Sequence, residues 1–228
     1  MKTLIILCIL SVSFLPLSIS AAFPPRIRLP TQEPFPGNQP VLDAEGNPLI
    51  PGEKYYAVPA TLGVEGAISL DSSPIQETQQ STCPNAVVLN TSVAGVRPFA
   101  KGLPLVFYPR RGLQEVQESL PLNVAFYRED SDPCAKETVW RLEGGEEGAG
   151  EKPVIVTGGE IGDEGDIANW FRIQKNINGG GWGYVFTFWP SLCSYCRIGY
   201  WRIGTVGQGR QLGINEEFPY PFNFVRAE

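Results

Sequence analysis

The sequence VLDAEGNPLIPGEKYYAV, residues 41–58, contains two strand-like segments joined by a turn-rich middle. Asn-Pro at 47–48 and Pro-Gly at 51–52 are pairs typical of turns. The aromatic and β-branched residues within 55–58 suit a pleated, half-buried surface. The pattern by itself therefore predicts a hairpin in an all-β domain, and it does not choose among all-β folds.

The rest of the chain continues as short apolar runs separated by glycine- and proline-containing turns. No segment keeps a 3.6-residue apolar period for more than two turns, so long helices are not expected. Many short strands with turns between them indicate a closed or sandwiched all-β fold. The strand-like runs beyond residue 58 are 67–70, 86–89, 105–108, 122–127, 138–142, 154–157, 170–173, 184–188, 199–203 and 222–225.

The order of residues in 41–58 closely resembles the N-terminal signature of the plant Kunitz-type inhibitors, the soybean-trypsin-inhibitor-like family. That signature begins with an apolar residue, which is followed by Asp after one variable position and by Gly after two more. An apolar residue comes next, and then a Tyr followed by another apolar position. The similarity covers roughly 41–226 and continues through 83–88, 138–140, 170–173 and 222–225. The resemblance implies an all-β β-trefoil of about twelve strands, a six-stranded barrel capped by three hairpins, spanning 41–228.

The first 22 residues have the pattern of a secretory signal peptide. A lysine precedes a mostly apolar run at 4–17, and small residues follow at 18–22. The apolar run is short for a membrane span, and no stop-transfer pattern follows it. We therefore expect cleavage near Ala21 or Ala22 and entry into the secretory pathway, with the vacuole or the extracellular space as destination.

Residues 23–40 contain six prolines, which remove backbone donors and predict an extended, exposed tail. Part of this tail resembles a vacuolar sorting signal of plant storage and inhibitor propeptides. The alternative is a flexible tail without a sorting role. The residues that carry the resemblance are Ile27, Arg28, Leu29 and Pro30.

Charge and composition exclude several functions. The chain has 18 basic and 24 acidic residues, and removal of the signal with its one lysine leaves a net charge of −7. Nucleic-acid binding needs a basic surface, so no nucleic-acid partner is expected. The absence of histidine excludes Ser–His and Cys–His catalysis and the commonest zinc sites. No carboxylate pair or phosphate loop stands out either, so we predict a protein that is not an enzyme and uses no cofactor or metal.

Four cysteines remain after Cys8 leaves with the signal peptide. An even number in a secreted chain indicates two disulfides, for which three pairings are possible. Chain order and the family resemblance favour Cys83–Cys134 and Cys193–Cys196. The second pair also has the spacing of a redox motif, but without a βαβ context we interpret it as a structural bond.

Two further surface features follow from short motifs. Asn90-Thr91-Ser92 is an acceptor sequence for N-glycosylation in a secreted chain. The glycine- and acid-rich segment 143–151 predicts a flexible surface loop, and the acids at 163–166 predict a structural turn. Neither acidic segment has the alternating ligand spacing of a calcium loop.

The segment Pro109-Arg110-Arg111-Gly112 is the candidate functional site. From the residues alone it predicts a solvated charged turn. In the similar trypsin inhibitors, the loop that contacts the protease lies between the first two cysteines, after a Lys-Gly pair like that at 101–102. The resemblance therefore implies a substrate-like reactive loop with its basic residue at Arg111 or at a neighbour, Arg110 or Gly112.

Two residues depart from the family pattern. Pro51 stands where an asparagine usually supports the loop from beneath, and Gly112 is more flexible than the apolar residue usual there. The predicted function is inhibition of serine, trypsin-like endopeptidases by a monomer that binds neither nucleic acid nor membranes. The alternatives are inhibition of aspartic or cysteine proteases through another loop, and a vacuolar storage or defence protein with little inhibition. A carbohydrate-binding trefoil is a further alternative, but no exposed aromatic motif repeats threefold.

Overall fold

The computed structural model describes residues 39–72, 83–93, 102–110, 112–144, 152–177, 182–189, 201–207 and 209–228. Several sequence-based predictions lie outside these residues. They are the signal peptide 1–22, the tail up to residue 38 with its sorting motif, Arg111, residues 145–151 of the glycine- and acid-rich loop, and the pair Cys193 and Cys196.

Twelve strands form in the described part of the chain. They are β1 (Lys54–Pro59), β2 (Val64–Asp71), β3 (Ala86–Val93), β4 (Leu105–Pro109), β5 (Leu122–Phe126), β6 (Val139–Glu143), β7 (Val154–Gly159), β8 (Phe171–Lys175), β9 (Tyr184–Phe188), β10 (Trp201–Thr205), β11 (Leu212–Ile214) and β12 (Phe222–Arg226). A single 3₁₀ turn, Ile167–Asn169, precedes β8. Within the residues described, no helix has the length and apolar character needed to cross a membrane.

Six strands close into a barrel. The antiparallel pairs β1–β4, β4–β5, β5–β8, β8–β9, β9–β12 and β12–β1 complete the ring. The hairpins β2–β3, β6–β7 and β10–β11 lie outside this ring and pair with one another through β3–β7 and β7–β11. Three mutually contacting hairpins on a six-stranded barrel are the architecture of a β-trefoil, which confirms the predicted fold.

The chain direction places the β4–β5 connection at the end of the barrel opposite the hairpin cap. Strand β1 runs from Lys54 to Pro59 and leads into the first cap hairpin, so Lys54 marks the uncapped end. Because Lys54 pairs with Val106 in the antiparallel β4, that strand runs toward the uncapped end. The same reasoning places the β8–β9 connection there.

Aromatic side chains fill the barrel. The ring of Phe186 lies 5.2 Å from that of Trp140, 5.8 Å from Phe222 and 5.9 Å from Phe224, measured between centroids. All four side chains are almost completely buried. Large buried rings contribute much of the apolar area of a core, so the barrel is a stiff support for the loops at its ends.

A disulfide joins Cys83, just before β3, to Cys134, between β5 and β6. This confirms the first of the two predicted bonds. The covalent bond spans the part of the chain that contains β3, β4 and β5. The β4–β5 connection therefore lies within a closed covalent loop.

Candidate functional site

The candidate site is the loop between β4 and β5, residues 110–121, called here the β4–β5 loop. Its two ends are held together where it leaves the barrel. Pro109 and Leu122 form the last pair of the β4–β5 ladder, and the amide of Arg110 donates to the carbonyl of Pro121 at 3.1 Å. The loop thus leaves the barrel through a closed neck.

The middle of the loop is bound to the N-terminal signature by a triangle of backbone hydrogen bonds. The Val41 amide donates to Val116, the Val116 amide to Leu49 and the Leu49 amide to Val41, each at 2.8 Å. All three side chains are fully buried. The backbone at Val116 is therefore held by both hydrogen bonds and apolar packing.

The far side of the loop has its own backbone contacts. The Glu118 amide donates to the carbonyl of Gln39, and the Ser119 amide donates to the carbonyl of Ile173 on β8, both at 2.8 Å. Pro40 forms a bridge with Gln117. Burial raises the pKa of the Glu118 carboxyl above its ordinary value, and a backbone hydrogen bond from Lys175 offsets this only in part.

The signature turn that supports the loop is itself fixed to the barrel. Asp43 accepts hydrogen bonds through Oδ1 from the amides of Glu45 and Asn47, both at 2.9 Å. The Ala44 amide donates to the carbonyl of Phe224 on β12 at 2.8 Å. An aspartate that accepts from the following amides defines a turn in which the chain has little freedom. The support beneath the loop is consequently rigid.

The exposed tip of the loop is a tight bend. Gly112 and Gln114 are exposed, whereas Leu113 is half-buried. Gly112 adopts φ +58°, and its amide lies 3.4 Å from the carbonyl of Pro109. A positive φ is not the extended conformation of a bound peptide substrate, so the backbone bends at Gly112.

Arg110 is the predicted arginine whose surroundings are described, and its side chain is engaged by the protein. Its Nε lies 2.8 Å from Oε1 of Glu164, and its guanidinium carbon lies 6.0 Å from the ring centre of Trp170. The hydrogen bond and the charge of Arg110 lower the pKa of the Glu164 carboxyl, and Glu164 raises the pKa of Arg110. The guanidinium lies against the β7–β8 turn, and Pro109 is half-buried at the end of β4.

The acids around Glu164 have structural roles. Asp163 accepts from the amide of Gly165 at 2.8 Å, and Asp166 caps the 3₁₀ turn by accepting from the amide of Ala168 at 3.0 Å. In the part of the chain that the structure describes, no group of three or more acidic or cysteine residues is placed to hold a metal ion. These contacts agree with the structural turn expected from the sequence.

The other predicted positions lie away from the loop. The backbone amide of Gly52, next to Pro51, donates to the carbonyl of Phe107 on β4 at 3.3 Å, so the contact beside Pro51 is made by the main chain. Asn90 lies on β3, half-buried, and accepts a hydrogen bond from the guanidinium of Arg210. Thr91 of the same glycosylation tripeptide is exposed, and occupancy of Asn90 stays a prediction.

The chain thus forms a β-trefoil in which one partly exposed loop is braced against the N-terminal turn. The chain belongs to the legume-type Kunitz family, described as trypsin and protease inhibitor, whose sequence profile matches residues 41–226. This confirms the resemblance seen in 41–58. Relatives of this chain include proteins named as inhibitors of trypsin and of cysteine proteases.

Three similar proteins illustrate the range of the family. Miraculin from Synsepalum dulcificum is 30% identical over 97% of each chain. The structure of a Kunitz-type cysteine protease inhibitor from potato matches with a TM-score of 0.65 and 27% identity, covering 84% of this chain and 98% of that one. A Kunitz type trypsin inhibitor from Cicer arietinum matches with a TM-score of 0.62 and 28% identity, covering 83% and 99%.

Proposed function

We propose that this protein inhibits trypsin-like serine endopeptidases by inserting the β4–β5 loop into the protease cleft. The observation that supports this proposal is that hydrogen bonds hold the loop at three places along its length. Its neck is closed at Arg110 and Pro121, its middle is bound at Val116, and its far side is bound at Glu118 and Ser119. The segment between Arg110 and Val116 lies between these braced positions, and we propose it as the part that contacts a partner.

Bracing favours inhibition for a thermodynamic reason. A free peptide loses conformational entropy when it is ordered in a cleft, whereas a loop that is already ordered loses less. The Cys83–Cys134 bond adds a second advantage, because it closes a covalent loop around the β4–β5 loop. A cut within the loop would leave its two ends attached to one molecule, so the ends could be rejoined instead of diffusing apart.

Arg111 is the proposed specificity residue. An arginine suits a deep pocket with a carboxylate at its base, because the guanidinium forms paired, charge-assisted hydrogen bonds with that group. The neighbouring Arg110 is bonded to Glu164. Entry of Arg110 into a protease would therefore require that ion pair to break, whereas the assignment to Arg111 does not.

Inhibition of cysteine proteases is the second candidate function. The bend at Gly112, with φ +58°, departs from a substrate-like loop. A potato structure similar to this chain is named a cysteine protease inhibitor. In this case the contact surface would lie on another part of the trefoil, and substitutions at Arg110 and Arg111 would leave inhibition unchanged.

We also propose delivery through the secretory pathway to the vacuole or the extracellular space. The supporting observations are the signal-like segment 1–22 and the motif at 27–30. Expression of the full chain fused to a fluorescent protein in plant cells tests this. Retention of the fusion in the cytosol would contradict the proposal, and a change of Ile27 and Leu29 to Ala should redirect a vacuolar fusion to the outside of the cell.

A protease panel tests the inhibitory function. Trypsin, papain and pepsin would be titrated with the purified mature protein, with the Arg110→Ala/Arg111→Ala double variant and with Lys152→Ala. Lys152 is an exposed cation just before β7, in the cap, and serves as the matched control. We expect stoichiometric loss of trypsin activity with the wild type and Lys152→Ala, and no loss with the double variant. Inhibition of papain alone would overturn the proposal in favour of the second candidate.

A further inference from the structure

We propose that Glu164 is a positioning residue for the β4–β5 loop, and that Arg110 anchors this loop to the body of the protein instead of entering the protease. This inference rests on the proposed function for its effect on inhibition. The Arg110–Glu164 contact itself, called here the tether, can be tested without a protease. Glu164 and Arg110 are separated by 54 positions in the chain, and the fold brings them together.

Arg110 is held through both its backbone and its side chain. The amide donates to Pro121 across the neck of the loop, and Nε donates to Glu164 Oε1 at 2.8 Å. The guanidinium also faces the ring of the buried Trp170. Because Arg110 is the first residue after β4, fixing it fixes the direction in which the chain enters the exposed tip.

The turn that carries Glu164 is bonded to the strand that follows the loop. Asn123, on β5, is almost completely buried. Its Oδ1 accepts from the amide of Gly162 at 2.8 Å, and its Nδ2 donates to the carbonyl of Asn169 at 3.0 Å. Asn123 comes two residues after Pro121, so the support of Glu164 and the far end of the loop share one strand.

The residues on either side of Glu164 are fixed as well. The carbonyl of Asp163 accepts from Nε1 of Trp170 at 3.0 Å, and the carboxylate of Asp163 accepts from the amide of Gly165 at 2.8 Å. Trp170 is buried directly before β8. The backbone that presents Glu164 is thus held to the barrel, so the ion pair connects the loop to a fixed point and not to a second mobile segment.

The Arg110–Glu164 pair gives the loop a side-chain support at its neck, in addition to the Gln174 side chain, whose Nε2 lies 3.4 Å from Oγ of Ser119. Pro51 has no polar side-chain atom to offer the loop from beneath, and the contact beside it is the backbone hydrogen bond from Gly52 to Phe107. The Arg110–Glu164 pair lies at the neck and carries charge on both sides. Charge-assisted hydrogen bonds are shorter and stronger than neutral ones, so the pair suits a positioning role.

The two roles that Arg110 could have make opposite predictions for Glu164→Gln. If Arg110 anchors the loop, loss of the carboxylate weakens inhibition of trypsin and speeds cleavage of the loop. If Arg110 enters the protease, loss of its partner frees the arginine and strengthens inhibition. Because the carboxylate is more than half exposed, the expected effect is modest, about threefold in the inhibition constant.

The experiment compares wild type, Glu164→Gln, Glu164→Asp, the charge swap Arg110→Glu/Glu164→Arg, and Asp71→Asn. Asp71 forms an exposed ion pair with Arg210 in the cap, so Asp71→Asn is the matched control. We expect weaker inhibition of trypsin with Glu164→Gln and an intermediate effect with Glu164→Asp. The charge swap should restore inhibition to within about twofold of wild type, and Asp71→Asn should have no effect. Unchanged or tighter inhibition with Glu164→Gln would overturn the positioning role.

A second measurement separates this inference from the proposed function. Amide hydrogen exchange at Gly112 and Leu113 does not depend on any protease. Faster exchange in Glu164→Gln than in wild type and Asp71→Asn supports the tether even if no protease is inhibited. Equal exchange in all three proteins would overturn the tether, whatever the inhibition measurements show.

Discussion

The backbone amide of Val41 donates a 2.8 Å hydrogen bond to the carbonyl of Val116, and both side chains are fully buried. Val41 opens the N-terminal signature, whereas Val116 lies in the middle of the β4–β5 loop. This contact makes the signature part of the candidate site as well as part of the fold. A position in a loop outside the barrel is thereby held by both backbone hydrogen bonds and apolar packing.

Truncation of Val116 should therefore reduce both stability and resistance of the loop to cleavage. For Val116→Ala we expect a loss of about 2 kcal/mol in the free energy of unfolding, because the substitution leaves a cavity among buried side chains. Urea denaturation measures this loss. Val225→Ala is the control, since Val225 on β12 is exposed. A Val116→Ala protein as stable as the control would contradict the bracing that we describe.

Removal of N-terminal residues should speed cleavage of the β4–β5 loop once Gln39 is lost. A protein that begins at Gln39 keeps the carbonyl that accepts from the Glu118 amide, and one that begins at Val41 loses it. Because water can replace this acceptor in part, we expect about threefold faster cleavage of the loop in the shorter protein. Mass spectrometry of timed trypsin digests measures the rate. Equal rates would show that Gln39 does not support the loop.

Asn123 should be among the polar residues most important for stability. Its side chain is buried and forms hydrogen bonds to Gly162 and Asn169. Asn123→Ala removes the partner of the Gly162 amide and leaves the carbonyl of the buried Asn169 without its hydrogen bond, which costs about 2 kcal/mol. Thermal and urea unfolding would be compared with Asn47→Ala, a change at an exposed asparagine. Similar stability of the two variants would be the contradicting result.

The strand pattern predicted an all-β fold, and the family resemblance added the six-stranded barrel, but not all of the strands were predicted. Strongly alternating or aromatic runs such as Tyr184–Phe188 were located correctly because their pattern reflects burial. Strand β11, Leu212–Ile214, was not predicted. It has only three residues with a glycine between two apolar positions, and it exists because β10 and β7 pair with it. Such a strand follows from its tertiary neighbours and not from local preference.

The candidate site shows the same division. Arginines between a proline and a glycine are visible in the sequence and predict an exposed charged turn. The family resemblance then identified this turn as the candidate reactive loop. Neither the triangle that includes Val116 nor the ion pair of Arg110 with Glu164 could be predicted. Both depend on residues far apart in the chain, and a glutamate in an acidic turn gives no sign of its partner.

Acid should weaken the region around the disulfide through Asp132. The pKa of its carboxyl is lowered by the Cys134 amide and then by Arg128. A lowered pKa in the folded state gives a stabilising contribution that is present above about pH 4 and is lost as pH falls through the folded pKa. The stability difference between wild type and Asp132→Asn, measured by urea denaturation, should therefore be larger at pH 7 than at pH 2. A difference that is equal at both values would contradict this.

The Cys83–Cys134 bond should hold the cut protein together. A cut at Arg111 lies between the two cysteines, so the fragments should migrate as one species without reductant and as two with it. Replacement of both cysteines by serine should cost about 4 kcal/mol of stability in the chain-entropy model. Electrophoresis and urea denaturation provide the two readouts. Separation of the fragments without reductant would contradict this part of the account.

The most direct test of the central claim is the inhibition constant for trypsin of wild type, Arg110→Ala and Arg111→Ala, measured side by side. We predict that Arg111→Ala abolishes measurable inhibition at micromolar concentration. Arg110→Ala should retain inhibition that is weaker by about threefold to tenfold, because it loses only the anchor to the exposed Glu164. Full inhibition by Arg111→Ala, or none by the wild type, would contradict the claim that this loop acts on trypsin-like proteases.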